Sequence, residues 1–137
     1  MGWRGHLDVR TFTIDEANAL IPTLTAVLED LRAVNERRER AVAEVESFER
    51  RAIQNGHGEG SEVLSPDNDL RTIHGELRER LLYLQGLGIH LKDIEHGIVD
   101  FPARMFGRDV YLCWRLGEQR IGFWHDIDAG YTGRRPL

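Results

Sequence analysis

Among the residues interleaved with the aromatic C-terminal segments, Asp93, Glu95, His96, Asp100, Cys113, Glu118, His125, Asp126 and Asp128 stand out as side-chain types that bind metals or move protons. Carboxylates and imidazoles supply acid–base groups and oxygen or nitrogen ligands, and Cys113 adds a thiol. No Cys-x-x-Cys pair and no His-Glu-x-x-His motif organises them, so any site must be assembled from separate elements. The ligand-binding candidates are Asp93, Asp100, Cys113, Glu118, His125 and Arg134; the candidates for holding a metal ion are Asp93, His96 and His125. No catalytic role and no cofactor can be assigned from spacing alone. All three serines, Ser47, Ser61 and Ser65, precede this region, which excludes a serine triad built on it.

Each candidate also has a plain structural use. Asp93 and Asp100 flank His96-Gly97 and can cap a turn. Cys113 lies between Leu112 and Trp114, where a thiol packs as a small apolar group. Glu118 follows Gly117 at a hairpin tip, and Arg134-Arg135 suits a salt-bridged tail, although paired arginines also hold phosphate or carboxylate. Strand alternation sends His125 to the same side as Phe123 and Ile121, opposite Trp124 and Asp126. Whether Cys113 shares that side depends on the length of the intervening turn.

The elements that must position these groups are an α+β set. Residues 1–12 form a flexible leader. Thr13-Ile14-Asp15-Glu16 fits a capping box, with Phe12 and Ala17 at the staple positions. Ala17, Leu20, Leu24, Val27, Leu31, Val34, Arg38, Ala41, Val45, Phe48 and Ala52 then alternate steps of three and four, a heptad seam in which Arg38 alone is polar. Pro22 either kinks this helix or starts a second one. Residues 55–66 form a glycine-rich linker; its alternating glycines lack the lysine and preceding strand of a phosphate loop. A second helix carries Leu70, Ile73, Leu77, Leu81, Leu84 and Leu87, with Ser65 or Asp67 capping its start and Gly86 and Gly88 its end. The result is a long antiparallel, coiled-coil-like hairpin over 13–88.

The two helices differ in length. Residues 14–54 span about 60 Å and 67–87 about 31 Å at 1.5 Å per residue, which leaves part of the first seam without an internal partner. A homodimer through helix 1 is therefore expected, with Leu24, Val27, Leu31, Val34 and Arg38 at the interface. After Gly88 the chain holds seven of its eleven aromatic residues between Phe101 and Tyr131. Ile89–Ile94, Ile98–Phe106, Asp109–Leu116 and Arg120–Ile127 read as strands of a small antiparallel meander, with tight turns at Gly107-Arg108 and Gly117-Glu118. Pro102 makes its strand an edge or interrupts it. A C-terminal coil closes the 89–137 region, and the whole chain is expected to be one structural domain.

Composition limits the function classes. With 137 residues, 41% apolar and 30% charged, the chain is neither collagen-like nor disordered as a whole. No apolar run reaches the length of a membrane span, and MGWRGHLDVR has no apolar signal segment. One cysteine excludes an internal disulfide and fits a reducing cytoplasm. Phe101, Tyr111, Trp114 and Trp124 suggest a base-stacking surface for single-stranded nucleic acid. The net charge of −5 and the mixing of Arg37, Arg38 and Arg40 with Glu44, Glu46 and Glu49 argue against it. The basic residues comprise seventeen arginines and one lysine, Lys92.

LKDIEHGIVDFPA (91–103), VYLCWRLGE (110–118), IGFWH (121–125), GYTGRRPL (130–137) and FTIDEANALIP (12–22) together resemble the bacterial domain of unknown function 2203 family. The resemblance implies a small cytoplasmic bacterial protein and no activity. From the residues themselves, the leading expectation is a non-enzymatic, homo-oligomeric interaction module, with another protein partner open. The alternative is a ligand- or metal-dependent activity at the polar cluster of the C-terminal sheet.

Overall fold

A computed structural model of the chain describes residues 10–55 and 67–137; Trp3, Ser65 and residues 56–66 of the expected linker lie outside the described residues, while Asn55 still belongs to a helix. The elements run α1 (Ile14–Ala19), α2 (Ile21–Asn55), α3 (Asp67–Leu87), β1 (His90–Asp93), β2 (Ile98–Met105), β3 (Arg108–Arg115), β4 (Phe123–Asp126), a 3₁₀ turn (Tyr131–Gly133) and β5 (Arg135–Pro136). The expected α+β architecture, a helical hairpin followed by an antiparallel meander, is borne out.

The capping box forms as the sequence indicates. Thr13 Oγ1 accepts the Glu16 N–H at 3.0 Å, and Glu16 Oε1 accepts the Thr13 N–H at 2.9 Å. Pro22 does not kink one helix: α1 ends at Ala19, and α2 starts at Ile21 with Pro22 in its first turn, where a missing N–H leaves no helix acceptor wanting. Phe12 does not belong to a leader, contrary to the expectation for residues 1–12. Phe12 is buried, packs edge-on to Phe101 with ring centroids 5.2 Å apart, and donates its N–H to Pro102 O at 2.8 Å.

That bond also explains how β2 tolerates proline. β1 pairs with β2 only over Ile98 to Asp100. In an antiparallel strand a residue's N–H and C=O point to the same side. The absent Pro102 N–H therefore faces the edge that β1 leaves open, not β3. The strand continues unbroken.

α2 runs 35 residues and α3 runs 21. Along their shared length, Leu24, Leu28, Leu31, Val34 and Ala41 meet Ile73, Leu77 and Leu84 in a core that continues into the sheet. Leu24, Leu31 and Val34 are 0%, 0% and 2% exposed, which corrects their placement at a dimer interface: the chain itself covers them. Val27 and Arg38 stay half-buried, Arg38 bonding Asn35 Oδ1 at 3.0 Å on its own helix. Leu81, expected on the inner face of α3, is 38% exposed, while Arg80 turns toward α2 and pairs with Asp30. Arg37 and Glu76 form a second ion pair across the hairpin, at 2.8 Å.

α3 ends in a Schellman motif: Ile89 N–H bonds Leu84 O at 3.2 Å and Gly88 N–H bonds Gln85 O at 2.9 Å, with Gly88 at φ +85°. The sheet order is β1-β2-β3-β4-β5, all antiparallel. Three details differ from expectation. The β2–β3 turn is Phe106-Gly107, one residue earlier than Gly107-Arg108, with both residues at positive φ (58° and 75°) as a twist-matched two-residue hairpin needs. β4 begins at Phe123 rather than Arg120, because the Ile121 N–H is taken by Asn18 Oδ1 of α1 at 2.7 Å. The C-terminal coil contains β5, where Arg135 pairs with Trp124 and Pro136 with Phe123.

Gly97 joins the β1–β2 turn to the end of β3. It sits at φ +68°, its carbonyl accepts the Leu116 N–H at 2.9 Å, and a Cβ there would lie 2.6 Å from Leu116 Cβ. Gly97→Ala combines left-handed backbone strain with overpacking, and should cost about 2–4 kcal/mol. Urea unfolding of the variant measures this; a loss below about 0.5 kcal/mol would show that the turn yields freely.

Candidate functional site

The sheet has two unlike faces. Val99, Phe101, Ala103, Val110, Leu112, Trp114 and Trp124 face the helices and join the core. The pairs Asp100↔Cys113, Pro102↔Tyr111, Tyr111↔His125 and Cys113↔Phe123 place Asp100, Pro102, Tyr111, Cys113, Phe123 and His125 on the opposite face. Cys113 and His125 therefore share a face. Phe101, Trp114 and Trp124, the aromatics weighed above for a base-stacking surface and disfavoured there, are 0%, 0% and 6% exposed and offer no such platform.

The chain after β4 folds back over this outer face. Arg134 lies over the Phe123 ring at 3.9 Å from its centroid and over Tyr131 at 4.2 Å. Its guanidinium grips Glu118 with both nitrogens, at 3.2 and 2.6 Å. Glu118 is more than a solvated tip: its Oε1 also accepts the Arg115 N–H at 2.9 Å, and its carbonyl accepts the Trp114 indole N–H at 2.9 Å. Arg134 is a half-buried clasp between the coil and the hairpin loop.

Next to this clasp is a buried polar group. Asp100 and His125 are each 2% exposed. They come from β2 and β4 and meet above the intervening β3, where His125 Nε2 lies 3.1 Å from each Asp100 carboxylate oxygen. His125 Nδ1 lies 2.8 Å from the Asp126 carbonyl oxygen. The Cys113 thiol sits below, its sulfur within 4.8 Å of the Asp100 and His125 ligand atoms. Burial pushes this thiol from its ordinary 9.0 up to about 12, the Asp100 charge adding to the rise and Arg134 opposing it.

Such a thiol is protonated at neutral pH and is no nucleophile as it stands. Iodoacetamide at pH 8 should therefore alkylate native Cys113 at least about 100-fold more slowly than the urea-unfolded chain. Mass spectrometry follows the adduct; comparable rates would place the thiol within reach of solvent.

A cavity of about 300 Å³ opens above the pair, lined by Lys92, Asp93, Ile98, Asp100, Tyr111, His125, Ile127, Ala129, Gly130 and Tyr131. Its volume is at the small end for ligand sites. The Tyr111 ring stands between His90 and His125, at centroid distances of 5.4 and 5.6 Å, with Lys92 Nζ 5.7 Å from its centroid. Asp93 is on the rim, where its carboxylate accepts the His96 N–H at 2.9 Å and meets His96 Nδ1 at 3.0 Å. The His96 N–H, then its ring, hold the Asp93 carboxyl below its usual range.

Of the candidates, then, Asp100, Cys113 and His125 converge, Asp93 borders the cavity, and Glu118 pairs with Arg134 beside Cys113 without lining that cavity. His96 turns to Asp93 at the surface rather than joining His125. Asp126 pairs with Arg108 at 2.8 Å, and the Arg108 bond lowers its carboxyl. Sequence reasoning missed Lys92, Tyr111 and Tyr131. Alternation with Cys113 was a usable signal for Tyr111. Tyr131 had none, because its place depends on how the closing segment folds back.

The DUF2203 family profile, described as an uncharacterized conserved protein, matches residues 10–137. The chain belongs to the DUF2203 family. No curated protein and no solved structure matches it. The match spans every element that builds the site in this DUF2203 chain, from the capping box to β5. Among the described residues, no helix is long and apolar enough to cross a membrane.

Proposed function

We propose that this DUF2203 protein binds a small polar ligand in the cavity on the outer face of its sheet, as a non-enzymatic module of a reducing cytoplasm. The observation that carries the proposal is the buried Asp100–His125 pair at the cavity floor. Burying an ionisable pair is costly, and apolar residues of similar size generally pack as well. Such a pair beneath a cavity with mixed charges on its wall, Lys92 against Asp93, fits recognition of a ligand bearing both donors and acceptors. The lone thiol supports a reducing compartment.

A thermal-shift screen of small polar metabolites against the full chain tests this. At least one compound class should raise the melting temperature in a dose-dependent way. It should lose that effect when Tyr131→Ala opens the cavity wall. Absence of any shift, or a shift that Tyr131→Ala leaves intact, contradicts the proposal.

A second reading, a homodimer, is favoured by Leu81, Leu82 and Tyr83 on α3, which are 38%, 52% and 49% exposed, and by a groove between Tyr83 and Ala26-Val27 of α2. A bacterial homodimer of this kind would pair hairpin flanks rather than the heptad seam. Sedimentation should give a concentration-dependent dimer that Leu82→Asp dissociates; a monomer at all concentrations removes it.

A further inference from the structure

We propose that Asp100, Cys113 and His125 form a binding site for a borderline-soft divalent metal ion of the zinc type, open to the cavity at its remaining coordination position. The proposal uses the cavity reading only for that last position; the three protein donors stand without it.

The first support is convergence. The carboxylate oxygen, sulfur and imidazole nitrogen lie within 4.8 Å of one another, and all three residues are buried. Ligands about 2.0–2.3 Å from a tetrahedral ion stand roughly 3.3–3.8 Å apart, so ordinary rotamer adjustment closes the set.

The second support is the histidine's tautomer. The Asp126 carbonyl oxygen can only accept, so His125 Nδ1, at 2.8 Å, must carry the hydrogen. In the neutral ring Nε2 then presents a lone pair, and it presents it to both oxygens of the Asp100 carboxylate at 3.1 Å. Two acceptors facing each other at 2% exposure require a positive centre between them. One answer is an extra proton; the other is a metal ion. A backbone carbonyl holding Nδ1–H is also the usual device that aims Nε2 at a metal.

The third support is donor chemistry. Thiolate, imidazole and carboxylate together suit zinc or its neighbours rather than magnesium or calcium, which take oxygen ligands. The charges also close. A divalent cation with one thiolate, one carboxylate and a neutral imidazole is formally neutral, as a buried site needs. On binding, two protons leave to solvent: the one shared by Asp100 and His125 Nε2 is displaced by the ion, and the Cys113 S–H bond breaks so that sulfur donates its pair to the ion. Arg134, adjacent to the sulfur and paired with Glu118, favours the thiolate form that the ion needs.

Cobalt(II) titration of the chelator-stripped full chain reads the site directly. The expected spectrum has visible bands of tetrahedral intensity and a near-ultraviolet thiolate-to-cobalt charge-transfer band, saturating at one ion per chain and displaced by zinc. Cys113→Ser should abolish the charge-transfer band, and Asp100→Asn should weaken binding at least about tenfold. No bands in excess cobalt, or a charge-transfer band that survives Cys113→Ser, overturns the proposal. Should either variant fail to fold, X-ray absorption of the zinc-loaded wild type decides: one sulfur among lighter atoms is expected, and nitrogen and oxygen alone overturn it. Absence of metal binding alongside dose-dependent shifts by polar compounds defeats the metal site and leaves the cavity reading in place.

Discussion

Replacing His125 with alanine should lower the melting temperature by roughly 10–20 °C, corresponding to about 3–5 kcal/mol for a domain of this size. The cause is what remains behind. Asp100 is 2% exposed, and His125 Nε2 faces both of its carboxylate oxygens at 3.1 Å. Truncating the imidazole leaves that carboxylate without its cross-strand partner and opens a hole beneath the cavity. The double variant Asp100→Leu/His125→Phe removes both halves of the pair. It should recover most of the loss, since apolar side chains of similar volume pack there without desolvation cost. Thermal and urea unfolding of the three proteins tests the point. If His125→Ala costs less than about 1 kcal/mol, the pair is not held in the environment described.

The second large effect is expected at Trp114. Its side chain is 0% exposed between the sheet and the helices, and its indole N–H donates to the Glu118 carbonyl at 2.9 Å. Trp114→Ala should cost about 3–5 kcal/mol through the lost contacts and the cavity left behind. Trp114→Phe keeps part of the ring packing and loses the hydrogen bond, so it should cost roughly 1–3 kcal/mol. The two variants share one further effect. Both free the Glu118 carbonyl, and this loosens the loop that presents Glu118 to Arg134. Hydrogen exchange at the Arg115 and Glu118 amides, which are bonded within that loop, should therefore speed up even in Trp114→Phe. Equal stability of both variants and wild type would show that Trp114 is not a core anchor.

What the sequence made legible follows from how local each signal is. The capping box at Thr13 and Glu16 and the Gly88 helix end are decided within a few residues, and both formed as read. Alternation along β4 put His125 on the face of Phe123 from the sequence alone, and the pairing agrees. The failures come from competition between distant groups. Ile121 gives its N–H to Asn18, more than a hundred positions away, and this shortens β4. Leu24, Leu31 and Val34 carry the heptad pattern of an interface, yet α1, α3 and the sheet bury them. Apolar periodicity marks a buried face without saying what buries it.

The site divides in the same way. Asp100, Cys113 and His125 were visible as residue types, but their convergence depends on register across three strands, which no local spacing encodes. Asp93 and His96 looked equally suited to a metal, and they pair with each other on the surface instead. Arg134 and Tyr131 reach the site only because the closing segment returns to pair along β4.

The central claim is that the outer face of the sheet holds a ligand site above the Asp100–His125 pair. Amide and histidine-ring NMR shifts of the ¹⁵N-labelled full chain, followed during titration with compounds active in the thermal-shift screen, test it most directly. Perturbations centred on Lys92, Tyr111, His125 and Tyr131, with the hairpin unmoved, are the predicted result. Perturbations confined to α2 and α3, with His125 unchanged at saturation, would contradict it.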